Sequence, residues 1–503
     1  MTSLRAHCRF WNRNPKKHNK FQPLASELSF ERHKMSKTEY TDQELTEDGL
    51  NLAPWERKFR RIITPFDEFL HRQTTGGLLL MAMAVLALVL ANGPFAEVYR
   101  EVLRTYVSIG FGDWSLKMSL HHWINDGLMV FFFFVIGLEL KREFLVGELA
   151  NPRNAALPIA AAIGGMVVPA LFYFALNPSG EAAAGWGIPM ATDIAFAVGA
   201  MALLGTRAPK ALVTFLVALA IVDDLGAVMV IAIFYTDSIA LLPLFIAAML
   251  FVVLISMNRS GVRNPIPYFA VAVLLWYALL LSGVHATLAG VIGAMTVPAY
   301  PKYNPEKFSA HVRTLMDRFD ASHQPGKSVM TNIALRSEVQ ALRNGVIGVE
   351  APLQRLEHFW HMPVAFVVIP IFALANAGIP IELAGIGETL NNPVMMGVSL
   401  GLIFGKFIGI TGASWLAIRF GVAVLPSGTR FTQIAGASLL AGIGFTMSIF
   451  VAQLAFNDQP EMLLMAKTGI LFASFLAGVT GFVWLYIAGK PASEAKQLAE
   501  ETN

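Results

Sequence analysis

Asp223 and Asp224 stand side by side in the middle of FLVALAIVDDLGAVMVIAIFY, a stretch that is otherwise apolar. An ionised side chain in hydrocarbon costs at least roughly 2.5 to 3.5 kcal/mol on insertion scales, so acids placed there are functional candidates by default. Neighbouring residues on a helix point about 100° apart, so one carboxylate can line a water-filled cavity while the other meets a neighbouring helix. Two acids this close repel in a low-dielectric site, which favours a proton on at least one of them near neutral pH. Their oxygens also suit a small, hard cation such as sodium or lithium, making Asp224 and Asp223 the expected Na+ ligands. Proton and cation would then compete for one site, which is sufficient for exchange provided that the empty carrier cannot turn over.

Lys406, in SLGLIFGKFIGITGA, is a base well inside another apolar stretch. A buried ammonium requires an anionic partner or loss of its proton, and Asp223 or Asp224 could supply the partner. A third group lies in GWGIPMATDIAFAVG, where Pro189 and the glycines interrupt a span close to Thr192 and Asp193. A broken helix exposes unpaired amides and carbonyls at membrane depth, tolerable only when buried in protein or lining a cavity. Asp193 is expected to neutralise the positive helix N-termini, and Lys406 the negative C-termini. AGIGFTMSIF, through Gly442 and Gly444, interrupts a second span in the same way. Paired interruptions in corresponding halves point to inverted repeats around a central site, here 153–236 and 394–488.

The elements that must carry these residues are membrane helices. The 503 residues are 55% hydrophobic and 15% charged, with a mean hydropathy of +0.54, which is not the balance of a water-soluble protein of this size. Apolar stretches near the roughly 20 residues needed to cross a bilayer recur at 75–92, 121–140, 155–176, 186–204, 211–235, 239–257, 266–281, 284–298, 359–378, 394–418, 431–456 and 463–488. They lack the period-two alternation of barrel strands. The expected fold is an all-α polytopic membrane protein of about 12 transmembrane helices, with two inverted repeats and crossing interrupted helices.

Charge gives the orientation. Lys141, Arg142, Arg207, Lys210, Arg259, Arg263, Arg419, Arg430 and Lys490 fall on one side, together with the basic leader, whereas the gaps at 177–185, 236–238, 379–393 and 457–462 hold no lysine or arginine. The basic side is expected to be cytoplasmic, with both termini there. Only 93–118 departs, its Arg100, Arg104 and Lys117 being balanced by Glu97, Glu101 and Asp113.

Residues 1–61 read as a disordered cytoplasmic extension, 62–490 as the membrane domain and 491–503 as a cytoplasmic tail. The first 26 residues carry six basic and no acidic side chains, a pattern also met in transit peptides and lipid-contacting tails, and initiation at Met35 is an alternative start. The sole cysteine, Cys8, excludes an intrachain disulfide. Residues 299–352 are too polar to cross a membrane and read as a cytoplasmic insertion, with a short amphipathic helix at 334–344.

WINDGLMVFFFFVIGLELKRE, AAIGGMVVPAL, ATDIAFA, IVDDLGA, SGVHATLAGV, FALANAGI and GIGFTMSIF, in this order, resemble the NhaA sodium/proton antiporter family over most of 62–490. The resemblance implies electrogenic exchange of cytoplasmic Na+ or Li+ for external protons, in a bacterial inner membrane. By motif, Asp224 corresponds to the main ion-binding carboxylate, Asp223 to its proton-exchanging partner, and Lys406 to the buried lysine that pairs with it. Thr192 and Asp193 complete the crossing-helix assembly, with Asp193 acting electrostatically. The resemblance further implies activation at alkaline pH, with Glu139, Arg142, Glu143, Glu357 and His358 as the sensor group and Asp126 and His285 as modulators. RLEHFWHMPVAF lacks a proline directly after its second histidine and the 299–352 loop is long, so no pH profile carries over.

Rival chemistries fit less well. An intramembrane aspartyl protease brings its two acids from different helices, and a cation channel requires repeated filter loops. A sodium-coupled solute symporter is the closest alternative, but needs a larger polar cavity than this core offers. No phosphate loop, zinc spacing or nucleophile elbow is present, so the expectation is a transporter without a cofactor. Its expected partners are Na+, Li+, H+, the lipid bilayer and a second copy as homodimer, and no nucleic acid.

Overall fold

Asn-Pro pairs start four of the helices. Asn151, Asn264, Asn304 and Asn392 each accept a hydrogen bond from a first-turn amide while the following proline takes the first helical position. The computed structural model describes residues 73–489, apart from 113, 237–238, 325–328 and 381–390. The leader with Cys8 and Met35, and the tail, lie outside the described residues.

In chain order the elements are α1 (Gln73–Asn92), α2 (Ala96–Arg104), β1 (Tyr106–Phe111), β2 (Trp114–Ser119), α3 (Leu120–Val146), α4 (Pro152–Leu176) and a 3-10 helix (Glu181–Met190) leading to α5 (Ile194–Ala202). There follow α6 (Lys210–Phe234), α7 (Leu241–Arg259), α8 (Pro265–Ser282), α9 (Leu288–Thr296), α10 (Pro305–Ser322), α11 (Ile333–Val349) and α12 (Pro352–Asn376). The last are α13 (Pro393–Arg419), α14 (Phe431–Leu440), α15 (Phe445–Ala455) and α16 (Pro460–Ala488).

Among the described residues nine helices are long and apolar enough to cross a membrane, or ten with α14 and α15 taken as one span bent by 50°. Two of the twelve expected stretches are shorter as helices than as apolar sequence. At 186–204 only Ile194–Ala202 is α-helical, because the glycines and Pro189 hold the preceding turns in 3-10 form. At 284–298 only Leu288–Thr296 is helical.

Two features of the gaps differ from the sequence expectation. The stretch at 93–118 is not simply a charged gap: β1 and β2 form an antiparallel hairpin, pairing Tyr106 with Ser119 and Phe111 with Trp114 around Gly112 at φ 62°. The alternation in WSLKMS and the glycine turn carry this signal. The insertion holds two helices, α10 and α11, rather than one short one; the expected 334–344 helix lies inside α11.

The two interrupted spans belong to two triplets of spans, α4, α5 and α6 in one, and α13, α14 with α15, and α16 in the other. They run in opposite directions, as the crossing of α4 and α13 makes plain. Gly164 lies against Gly409, Pro169 against Gly405 and Gly401, and Asn177 donates to the Pro393 carbonyl at 2.9 Å, so one chain ascends as the other descends. A Cβ on Gly409 would overlap the Gly164 carbonyl, so the helices meet backbone to backbone, the packing that small residues permit in membranes.

Candidate ion-binding site

Each charged residue of the centre is aimed by a local device. Lys406 follows a π-helical turn, Gly401–Gly405, a distortion frequent at functional sites. Its aliphatic stem then passes Gly165 of α4, where a Cβ would come to 3.8 Å of its Cδ. Lys406 Nζ donates to Asp223 Oδ2 at 2.6 Å, and neither side chain is exposed. Both acids sit on α6 with Asp223 1% and Asp224 2% exposed.

Asp224 has a different environment. Neither of its oxygens, nor Asp223 Oδ1, has a hydrogen-bond partner among the described residues. Buried carboxylate oxygens are rarely left so. The charged groups near enough to act on Asp224 are Asp223, Asp193, Lys406 and Glu139. Four acids against one lysine leave a surplus of negative charge when ionised, and the unpartnered oxygens are hard donors of the kind that suit a small, hard cation.

The two breaks face each other. Asp193 N donates to Ile443 O at 2.7 Å and Thr192 Oγ1 to Ala441 O at 2.9 Å. Asp193 Oδ1 accepts from Phe196 N at 3.0 Å, capping α5, while its Oδ2 accepts from Thr446 N at 3.1 Å and from the Thr446 hydroxyl, capping α15. The positive ends of two short helices thus converge on one carboxylate. The carbonyl ends expected to face Lys406 are met instead by hydroxyls. Ser448 Oγ donates to Ile188 O at 2.9 Å, and Thr192 serves Ala441 as described. A hydroxyl suffices for a carbonyl, which leaves the ammonium free for the carboxylate of Asp223.

Of the proposed sensor residues, the structure gathers Glu139, Arg142, Glu143 and Glu357. Arg142 is bonded to Glu357 and lies 3.3 Å from Glu143. His358 is exposed, and the histidine one turn on, His361, lies 3.8 Å from Glu139. Asp126 lies on a π-helical turn, Trp123–Leu128, between His122 at 3.5 Å and His285 at 3.7 Å, so the two expected modulators, Asp126 and His285, face each other. Sequence reasoning missed Thr446 and Ser448, although GIGFTMSIF contains both, and it missed His361, His122 and a lysine within α16, Lys467.

Comparison with known proteins decides the kinship. The family model described as Na+/H+ antiporter 1 matches residues 67–485. A protein named Na(+)/H(+) antiporter NhaA 1 from Saccharophagus degradans is 57% identical over 435 residues, covering 86% of this chain and 94% of the relative.

The chain belongs to the Na+/H+ antiporter 1 family.

An NhaA from Sulfurimonas denitrificans is 52% identical over 441 residues, covering 88% of this chain and 99% of its own, and one from Shewanella denitrificans is 44% identical over 430 residues, covering 86% and 95%. The match to the Na+/H+ antiporter 1 family takes in both interrupted spans, the acid pair and Lys406.

Proposed function

We infer that this chain is a secondary transporter that exchanges Na+ for protons across a membrane. The reading is carried by one observation: two adjacent buried acids differ in partnership, Asp223 being paired with Lys406 while Asp224 presents two unpartnered oxygens. Asp224 takes the cation, with Asp223 contributing when its lysine releases it. The proton is exchanged at the Asp223–Lys406 pair, because a cation arriving beside the carboxylates displaces positive charge already there. Asp193 and Thr192 hold the two breaks together, and Asp193 adds negative potential without touching the ion.

The finer reading follows the charge pattern. The basic loops and both termini face the cytoplasm of a bacterial inner membrane, so sodium leaves as external protons enter, and the exchange is electrogenic when more protons than cations cross per cycle. Lithium, as a small hard cation, shares the site. The Glu139, Arg142, Glu143 and Glu357 cluster, with His358 and His361 beside it, sits at the cytoplasmic end of α3 and α12 and makes the exchange responsive to pH; Asp126 and His285 act as modulators. The functional unit is a homodimer.

Proton movement in inside-out vesicles on adding sodium tests this. A sodium-triggered pH change that vanishes in Asp224→Asn supports exchange at that carboxylate; an equal response in both sinks the assignment, and no response in either favours a solute symporter.

A further inference from the structure

A second polar assembly lies away from the acid pair and takes no part in that chemistry. Asn125 Nδ2 donates to Gln453 Oε1 at 2.9 Å, Gln453 Nε2 donates to Asn376 Oδ1, and Asn376 Nδ2 donates to Asn125 Oδ1 at 2.9 Å. Each amide gives one bond and takes one, so the three close a ring. His121 Nε2 lies 2.9 Å from Asn376 Oδ1 and anchors the ring from outside. Asn376 is 1% and Gln453 9% exposed.

The ring joins three helices, α3, α12 and α15, at their outer ends. Asn125 lies in the second turn of α3 and Asn376 ends α12, and these two helices are held to each other by Arg142 with Glu357 and by Phe131 on Trp360 at 4.7 Å. Gln453 is on α15, which is tied by Thr446 and Phe445 N to Asp193 and Ser474 of the interrupted-helix assembly. One face of α15 presents Thr446, Phe450 and Gln453 at i, i+4 and i+7, lined up toward this seam. Thr446 meets Asp193, and Phe450 lies 5.4 Å from Phe133, 6.2 Å from Phe372 and 5.2 Å from His285. Moving outward from the break, the seam is sealed first by an aromatic layer and then by the amide ring. All three ring residues lie at the helix ends farthest from the basic loops.

We propose that the Asn125–Asn376–Gln453 ring is an outer latch, closed while the acid pair faces the cytoplasm and open when it faces out. The proposal rests on the exchange and orientation argued above. Carriers of this architecture move one bundle against another around a fixed site, and this ring ties the two bundles together on one side only. Neutral amides suit a contact that must open and reclose, because external water can replace each lost partner, whereas an opened ion pair leaves bare charges.

The test uses the full chain with Cys8→Ser and a single reporter, Met129→Cys. Met129 is 1% exposed and one turn inward of Asn125. A membrane-impermeant thiol reagent is applied from outside to cells carrying this parent, then to Gln453→Leu, Asn376→Leu and the double variant, with Gln453→Asn as a milder change. Sodium-driven proton movement is measured alongside.

The parent should label slowly. Each leucine variant should label at least tenfold faster with transport kept within a few-fold, and the double variant no faster than the quicker single, because one break opens the whole ring. Fast labelling of the parent, unchanged labelling in variants that still transport, or multiplied rates in the double variant would overturn the latch. If the leucine variants do not accumulate, Gln453→Asn decides: an unchanged rate there overturns the proposal and a raised one supports it. Absence of sodium-driven proton movement in the parent would count against the exchange reading, independently of the labelling result.

Discussion

Asp193 and Thr446, 253 residues apart in sequence, are joined by two hydrogen bonds to one carboxylate oxygen. That contact binds the N-terminal end of α15 to the residue that caps α5, so the two interrupted spans share one cap. Replacing Asp193 with alanine removes both caps at about 1 kcal/mol each, and thermal unfolding in detergent should show a larger destabilisation than Thr446→Val, which loses the hydroxyl bond but keeps the backbone cap. Asp193→Asn, which keeps its Oδ1 acceptor but loses the charge near Asp224, should fold and show a weaker apparent sodium affinity in vesicles.

Lys406→Met leaves Asp223 buried without its counter-ion, a loss of about 3 to 5 kcal/mol when a buried pair is broken on one side. Adding Asp223→Leu should recover much of that stability, since both charges are then gone, yet leave transport abolished. Unfolding midpoints and proton movement measured on the same set of variants separate the two effects. Full stability in Lys406→Met alone would argue against the pairing.

The crossing of α4 and α13 is intolerant of side chains. Gly409→Leu places its Cβ on the Gly164 carbonyl, and overpacking of this kind costs about 1 to 3 kcal/mol or more. The yield of monodisperse protein on size exclusion should fall sharply, whereas Gly412→Leu, where a Cβ meets nothing within 4 Å, should leave it close to the parent.

The α10–α11 insertion is clamped at its base, where Lys302 N and Tyr303 N both donate to Gly348 O at 2.7 and 3.1 Å. Because the two ends already meet there, replacing 304–347 with a short glycine-containing turn should leave sodium-driven proton movement within about twofold of the parent, as surface insertions are thermodynamically cheap to shorten.

Tyr99, on α2, donates to Leu374 O at 2.6 Å. Burial pushes its hydroxyl from 10.0 up to about 12, with the Gly378 backbone acting in the opposite direction. A raised value favours the folded state below the unfolded value and loses that advantage as pH rises through the folded one. Stability should therefore fall between pH 10 and about 12 more steeply in the parent than in Tyr99→Phe, as followed by unfolding midpoints.

The sequence exposed the membrane core readily, because every charge inside an apolar run stands out against its surroundings. Asp223, Asp224, Asp193 and Lys406 were legible for that reason, and the breaks at Pro189 and Gly442 because glycine and proline punctuate helices. What remained hidden depends on contact across the fold. No spacing tells which acid Lys406 reaches, nor that Thr192 and Ser448 rather than Lys406 meet the carbonyl ends. Asn125, Asn376 and Gln453 are ordinary polar residues near helix ends until three spans bring them together. Likewise His361, not His358, meets Glu139 because helix rotation, which sequence leaves open, turns that side of α12 inward.

The partners of the central ion pair are made at different times. Asp223 and Lys406 are 183 residues apart, and the acid belongs to the first triplet, the lysine to the second. During synthesis α6 emerges with its two carboxylates long before α13 exists. The nascent membrane domain must therefore hold these acids neutralised by something other than their final partner, and only the completed chain exchanges that provisional arrangement for a lysine.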